Sequence, residues 1–355
     1  MEAKPVNIIY CESPEEWIRD QYFLLANEKS AQRFLLNAYQ KSGTPQPEKM
    51  AFRNAAAFSA YIRQALSIFR PGREENIWMQ PVLDYYGMMS LIKAWILTRV
   101  PDYPQNTSVL RHGLSTRKRK RESYRLLEDE VRIQKEGLYP LVAGLLGNPP
   151  DAGDSYRLKT LFSFLSDLSA SYERFLGETP LIPVTVGRQT SLYADEAMPL
   201  EIAETVLDRI HLTPEAFVSR LNHYSKGALF SLGTPVIRSG LLQLRWSHPD
   251  VRHVNDWEKG FHHPWFYEDK KGNHYLWFGN DCLGTPVDEL LVHFMLLFAL
   301  SMLCRYEPPL WGEIMLDHTG EEQILVCGLL RLIPRKVPHL VLNLLHGQKS
   351  IIRLY

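Results

Sequence analysis

LLVHFMLLFALSMLC, Leu290 to Cys304, is 15 residues of nearly unbroken apolar character between Glu289 and Arg305. A membrane-spanning helix needs about 20 such residues, and this run also carries His293 inside it. A helix buried on every side in a protein core satisfies both facts. Such a helix has to be wrapped by others that are apolar on one face, and the rest of the chain supplies them.

Ser13-Pro14-Glu15-Glu16 is a helix start: a capping hydroxyl, a proline at the first helical position and a glutamate three residues after the serine. Trp17, Ile18, Tyr22 and Leu25 then fall on one face. A second helix is predicted over Met50 to Phe69, with Phe52, Phe58, Ile62 and Leu66 inward. A third runs from Pro81 to Arg99 with Tyr85, Met88, Met89, Ile92, Trp95 and Ile96, ended by Pro101 and Pro104. A fourth is predicted from Thr116 to Glu136, with Tyr124, Leu127, Val131 and Leu138 marking its core side. Asp151 to Asp154 reads as a loop and Tyr156 to Phe175 as a further helix.

From Thr179 the texture becomes β-branched and aromatic. LIPVTV, TPVIRSGLLQLRW and the pair WFYE/HYLWF read as strands, the last pair as a hairpin turning at Gly272. Thr213-Pro214-Glu215 opens a short helix to about His223. Helices return at Asp288 to Tyr306 and Gly320 to Leu332, followed by an apolar tail, VPHLVLNLL, and IIRLY. The expected fold is mainly α, α+β overall: a helical bundle from N- and C-terminal segments with a smaller mixed α/β insert. Its divisions are 1–178, an N-terminal helical region; 179–286, a mixed region with the hairpin near 264–279; and 287–355, C-terminal helices packing on the first.

The formal charge is zero, and 45% of the residues are hydrophobic, enough to fold without staples. Cys11, Cys282, Cys304 and Cys327 form no CxxC pair, so neither a zinc knuckle nor a disulfide framework is indicated, which fits a reducing compartment. The opening residues lack a signal-peptide pattern, and neither end carries a lipidation motif, so a cytoplasmic location without membrane association is expected.

Against that neutral background, Arg111 to Arg125 sets Arg111, Arg117, Lys118, Arg119, Lys120, Arg121 and Arg125 against one acid, Glu122. Five consecutive cations at a helix start oppose the macrodipole at about 0.3–1 kcal/mol each, and a bound anion relieves that strain. On the predicted helix Lys118, Arg121 and Arg125 form one stripe. The competing account is a solvated face in which Arg125 reaches Asp129 and Glu128 reaches Arg132.

His112, beside Arg111 and before Gly113, titrates in the range useful for acid–base catalysis, and equally suits a polar gap or a helix cap. His248, Asp250, His253, Asp256, His262 and His263 contain metal-ligand types without a metal-site spacing, so neither a metal nor a cofactor is assigned. No GxSxG or cysteine-nucleophile signature is present.

AFRNAAAFSAYI (51–62), PVLDYYGMMSLIKAWIL (81–97), HGLSTRKRKRESYRLLEDEVRIQKEGLYP (112–140) and HFMLLFALSMLCRYEPPLW (293–311), in this order, resemble the YaaC-like family of uncharacterised bacterial proteins. Tyr85-Tyr86-Gly87-Met88, Lys93-Ala94 and His112-Gly113 bear a more distant likeness to the HEPN superfamily of helical domains. That likeness implies a metal-independent ribonuclease, toxin or defence effector, with His112 as catalytic residue. The superfamily's arginine and histidine, four to six residues apart, are not matched: Arg245/His253 and Arg331/His339 have seven residues between them, Arg335/His339 three.

The leading expectation is a protein binding RNA or another phosphate-bearing ligand through Arg111 and Arg117 to Arg125, with His112, Lys93, Tyr85 and Tyr86 lining the same cleft. The residues decide neither for nor against catalysis. A third reading is a homo-oligomeric interaction protein in which Arg305 pairs with Glu307 and the basic strip docks an acidic surface.

Overall fold

The computed structural model describes residues 6–70, 76–116, 124–147, 151–186, 197–225, 229–247, 266–278, 287–316 and 321–355. In chain order the elements begin β1 (Val6–Cys11), α1 (Pro14–Ala26), α2 (Glu28–Lys41), α3 (Pro47–Ile68), α4 (Gln80–Arg99), β2 (Leu114–Thr116), β3 (Glu130–Ile133) and α5 (Leu138–Leu145). They continue with β4 (Ser155–Arg157), α6 (Leu158–Ser163), α7 (Ser169–Leu176), β5 (Leu181–Val186), β6 (Ala197–Ala203), α8 (Thr205–Ile210), α9 (Pro214–Ser225), β7 (Phe230–Arg238) and β8 (Leu241–Ser247). The last are β9 (Phe266–Glu268), β10 (His274–Trp277), α10 (Glu289–Tyr306), α11 (Pro308–Leu316), α12 (Glu321–His346) and β11 (Lys349–Leu354). The fold is mainly α, α+β overall, in two compact units.

The helical unit comprises Cys11–Phe162, Asp288–Gly347 and Leu354–Tyr355. Ser13 caps α1 as its sequence dictates, its Oγ accepting from Glu16 N at 3.4 Å. Asn27 ends α1 and starts α2, its Oδ1 accepting from Lys29 N and Ser30 N. The sequence reading omits α2, which has neither glycine nor proline to set it off from α1 and buries only Ala31, Leu35 and Tyr39.

At the centre lie α4 and α10, both apolar around most of their circumference. Tyr85 of α4 sits 5.8 Å from Phe294 and 6.0 Å from Phe298 of α10, ring centre to ring centre. Among the described residues α10 is the one helix long and apolar enough to cross a membrane, and 78% of it is buried within the protein. The interior does carry charge. Glu289 Oε1 lies 2.9 Å from Lys336 Nζ of α12 and 3.8 Å from Nε2 of the fully buried His293. Burial raises the Glu289 carboxyl, but Lys336 and His293 outweigh it and hold it at about 2.

Helix α12 corrects the sequence reading, which stops a helix at Leu332 and leaves a separate tail. It continues through Pro334 and Pro338 to His346. A mid-helix proline removes the donor for the carbonyl four residues earlier. For Pro334 that carbonyl belongs to Leu330, and the Gln80 side-chain amide of α4 donates to it at 3.0 Å. Tyr22 of α1 donates to the Pro338 carbonyl at 2.7 Å, so neighbouring helices hold the irregular stretch.

The larger correction concerns Thr116 to Glu136, expected as one helix. Thr116 ends β2, Leu126–Glu128 is a single 3-10 turn, and Glu130–Ile133 is β3, paired antiparallel with β2 and β4. Val131 and Ile133 are buried while Arg132 between them is exposed, a two-residue period that belongs to a strand. Phe52 is also corrected: it is 73% exposed, because α3 buries Ala51, Ala55, Phe58 and Ile62 and Phe52 lies one position off that line. The helix expected over 156–175 breaks into β4, α6, a 3-10 turn at Ser166–Leu168 and α7, with Leu165 extended at φ −83°, ψ 96°.

The second unit comprises Met1–Tyr10, Ser163–Val287 and Gln348–Arg353. Its six-stranded antiparallel sheet has the order β7-β8-β6-β5-β10-β9. Alternate residues of β6 and β8 point inward, and Met198, Leu200, Ile202, Leu242, Leu244 and Trp246 pack with Phe217 and Leu221 of α9. The β9/β10 hairpin turns where expected, at Gly272 with φ +82°. Asp269 stabilises the turn by accepting from Lys271 N and Asn273 N. The terminal strands β1 and β11 pair in a separate two-stranded sheet.

Candidate anion-binding site around His112

His112 is placed by its backbone. The carbonyls of Arg111 and His112 accept from Leu138 N and Tyr139 N at 2.8 and 3.1 Å, satisfying amides that the first turn of α5 leaves open. The Gly113 carbonyl accepts from Gln134 N at 2.9 Å. The two segments cross where both lack a side chain. A Cβ on Gly137 (φ +137°) would sit 2.3 Å from Gly113 Cα, and one on Gly113 (φ +76°) would sit 2.4 Å from Pro140 Cδ. Glycine at both positions is what permits this approach.

The imidazole then falls between the two central helices. Its Nδ1 is 2.8 Å from the hydroxyl of the buried Tyr85, and its ring centre is 5.5 Å from both Tyr85 and Phe298. Burial above all, opposed weakly by Arg305, pushes the Tyr85 hydroxyl well above its ordinary range, so it keeps its proton. When that hydroxyl donates, Nδ1 is the acceptor and the neutral ring carries its proton on Nε2. The His112 pKa is lowered, first by burial and then by the positive charges of Arg305 and Lys93. The ring therefore stays neutral near pH 7.

These cations come from different helices. Lys93 of α4 is half-buried with its ammonium 5.8 Å from the Tyr61 ring centre, and burial lowers its pKa. Arg305, in the last turn of α10, donates from Nε to its own Ser301 carbonyl at 3.2 Å and lies 5.2 Å over the Tyr306 ring. The α10 dipole favours that position. Among the described residues, no carboxylate lies within 4.0 Å of Lys93, Arg111, Arg125 or Arg305, whereas Arg53, Arg209, Arg335, Lys336 and Lys349 each have one.

The structure thus brings Tyr85, Tyr86, Lys93 and His112 together. Arg117, Lys118, Arg119, Lys120 and Arg121 lie outside the described residues, as do the histidines and aspartates of 248–263. Arg125 is exposed and in extended conformation ahead of the 3-10 turn. Arg125 therefore does not stand on the predicted helix, and the stripe Lys118–Arg121–Arg125 loses that member; Lys118 and Arg121 lie outside the described residues. Next to that segment the described residues carry acids: Glu322 accepts from Leu126 N and Leu127 N at 3.0 Å each, and Asp129 accepts from the Tyr124 hydroxyl at 2.9 Å. The proposed Arg305–Glu307 pair does not form among the described residues, since the guanidinium turns to Ser301 and Tyr306 instead.

Sequence reasoning missed Arg305 as a neighbour of His112, and Gly137 and Phe298 as its support. The available signal for Arg305 was its place as the cation closing the apolar run. Neither a curated protein nor a solved structure matches the chain. The family model of the YaaC-like proteins matches residues 23–345, a span that contains every residue of the His112 site and nearly the whole chain. On that match the chain belongs to the YaaC-like family.

Proposed function

We propose that this chain is a cytoplasmic protein that binds RNA or another phosphate-bearing ligand on the face formed by Lys93, Arg111, His112 and Arg305. The observation that carries this reading is the absence of a carboxylate within ion-pair distance of Lys93, Arg111, Arg125 and Arg305, among the described residues. A guanidinium has five donors in a planar fork, and Arg305 spends one on Ser301 and another on the weak acceptor Met302 Sδ. A phosphate supplies strong acceptors for the remainder. Arg305 and Lys93, whose positive charges add to burial in lowering the His112 pKa, would both gain from a negative group.

The test is binding of labelled RNA measured across salt concentration. Each single-strand phosphate neutralised contributes about −0.7 to the slope of log affinity against log salt. Three contacts therefore give about −2, and Arg305→Ala should make the slope shallower by about 0.7. A flat salt response, or no binding, overturns the proposal.

A second reading is favoured by His112 held on Tyr85 within reach of the Arg305 charge: a HEPN-like metal-independent ribonuclease, toxin or defence effector. His112 Nδ1 is anchored on Tyr85, which orients the ring for proton transfer, and Arg305 is the cation beside it. RNA left intact by the purified protein, or cleaved equally by His112→Ala, removes this reading.

A further inference from the structure

Two tyrosines are out of place for a helical surface: Tyr306 lies under the Arg305 guanidinium, and Tyr86 stands seven residues before Lys93 on α4, against the Tyr85 that holds His112. Tyr86 of α4 is 42% exposed and meets Tyr85 edge to face at 5.9 Å; Tyr306, at the end of α10, is 64% exposed beneath the Arg305 guanidinium. Tyr22, Tyr39, Tyr85 and Tyr139, also on helices of this unit, are buried. Inward from Tyr86 the rings continue through Tyr85, His112 and Phe298, giving the exposed ring a rigid backing.

An exposed aromatic ring beside a guanidinium that has no carboxylate partner among the described residues offers two kinds of recognition at once: a π surface for a planar group and charge for a phosphate. In a duplex the bases stack on one another and present only their edges, so these rings have no base face to meet. We infer that the face carrying Tyr86, His112, Arg305 and Tyr306 takes single-stranded nucleic acid, its bases stacked on the Tyr86 and Tyr306 rings and its phosphates on Arg305 and Lys93. This rests on the phosphate-binding reading above and narrows it to one substrate class. Because every base has a π face, sequence preference is weak.

The test compares fluorescein-labelled single-stranded RNA, its duplex, inorganic polyphosphate and polyglutamate with the full-length protein and its Tyr86→Ala, Tyr306→Ala, Tyr86→Phe and Tyr306→Phe variants. Both tyrosines are exposed, and circular dichroism verifies that the variants fold. Single strands should bind at least about tenfold tighter than duplex, polyphosphate or polyglutamate, and each alanine variant should weaken single-strand binding by about tenfold. The phenylalanine variants should bind like the parent, and polyphosphate binding should be unchanged throughout. If duplex or polyphosphate binds as tightly as single strands, or the alanine variants bind single strands normally, stacking is refuted while phosphate binding stands. If polyglutamate matches the single strand, an acidic protein partner replaces nucleic acid. If none of the four probes binds, the phosphate-binding reading fails together with this one.

Discussion

At the start of α10, Glu289 is held 2.9 Å from Lys336 with the buried His293 beside it; at the far end of the same helix, Arg305 has no carboxylate within ion-pair distance among the described residues. Both charges suit the helix dipole, an acid in the first turn and a base in the last. The difference between them is compensation. A charge removed from water must have a partner or it destabilises the fold, so the buried end of α10 is neutralised from within. Arg305 is only partly withdrawn from water and makes its hydrogen bonds to Ser301 and Met302, so the requirement is weaker there; on the proposed function, the cations around His112 are balanced by an outside anion.

The comparison breaks most visibly at the buried end. Lys336→Ala strands the Glu289 carboxylate and should cost about 3–5 kcal/mol in urea unfolding, whereas the double change Glu289→Leu with Lys336→Met should come close to the parent. If the single variant is as stable as the parent, the pair is not structural. The Glu289 contribution is tied to a carboxyl pKa lowered from 4.5 to about 2, so it is fully present above about pH 4.5 and lost as pH falls toward 2.

Next in size is Gly137→Ala. Its Cβ has no room against Gly113 and its φ is +137°, so a loss of about 1–3 kcal/mol is expected, with the His112 ring signals shifted in NMR spectra. Unchanged ring signals would mean that this crossing does not position His112.

At the other end, Arg305 is partly buried and has no carboxylate partner among the described residues, so Arg305→Ala should cost about 1 kcal/mol or less, while lowering affinity for RNA. Loss of stability comparable to Lys336→Ala would make the two ends of α10 alike and erase the comparison.

The smallest effect is electrostatic. Removing Arg305 should raise the His112 pKa, seen as titration at a higher pH in histidine NMR spectra. In the parent, His112 titrates below its unfolded value of 6.5, so the unfolded chain binds protons first and stability falls as pH drops through 6.5 toward the folded pKa. His274 and His346, both lowered chiefly by burial, act in the same direction.

Much of the fold was legible where a single physical signal dominated. The apolar run of α10, the Ser13 cap and the Gly272 hairpin each state their structure locally. The stretch from Thr116 to Glu136 was misread because Leu127, Val131 and Leu138 share helical spacing, while the strand signal, Val131 and Ile133 around Arg132, is only three residues long. The helical reading of α12 stopped short because proline normally ends a helix, and the amide that rescues it lies 250 positions earlier in the chain. The site divides in the same way. Tyr85, Tyr86, Lys93 and His112 stand out as polar groups on or near one apolar helix. Arg305 joins them only through the packing of α10 on α4, which no local pattern specifies.

The Gln80 amide has a mechanical consequence. It stands on α4 five residues before Tyr85, and it is the donor recorded for the Leu330 carbonyl that Pro334 leaves bare. Sliding α12 by even one residue would leave that oxygen dry and unbonded, a penalty of about 1–3 kcal/mol. The proline thus works as a detent between the two helices, fixing their axial register and giving the tyrosine that grips His112 a foundation that does not drift.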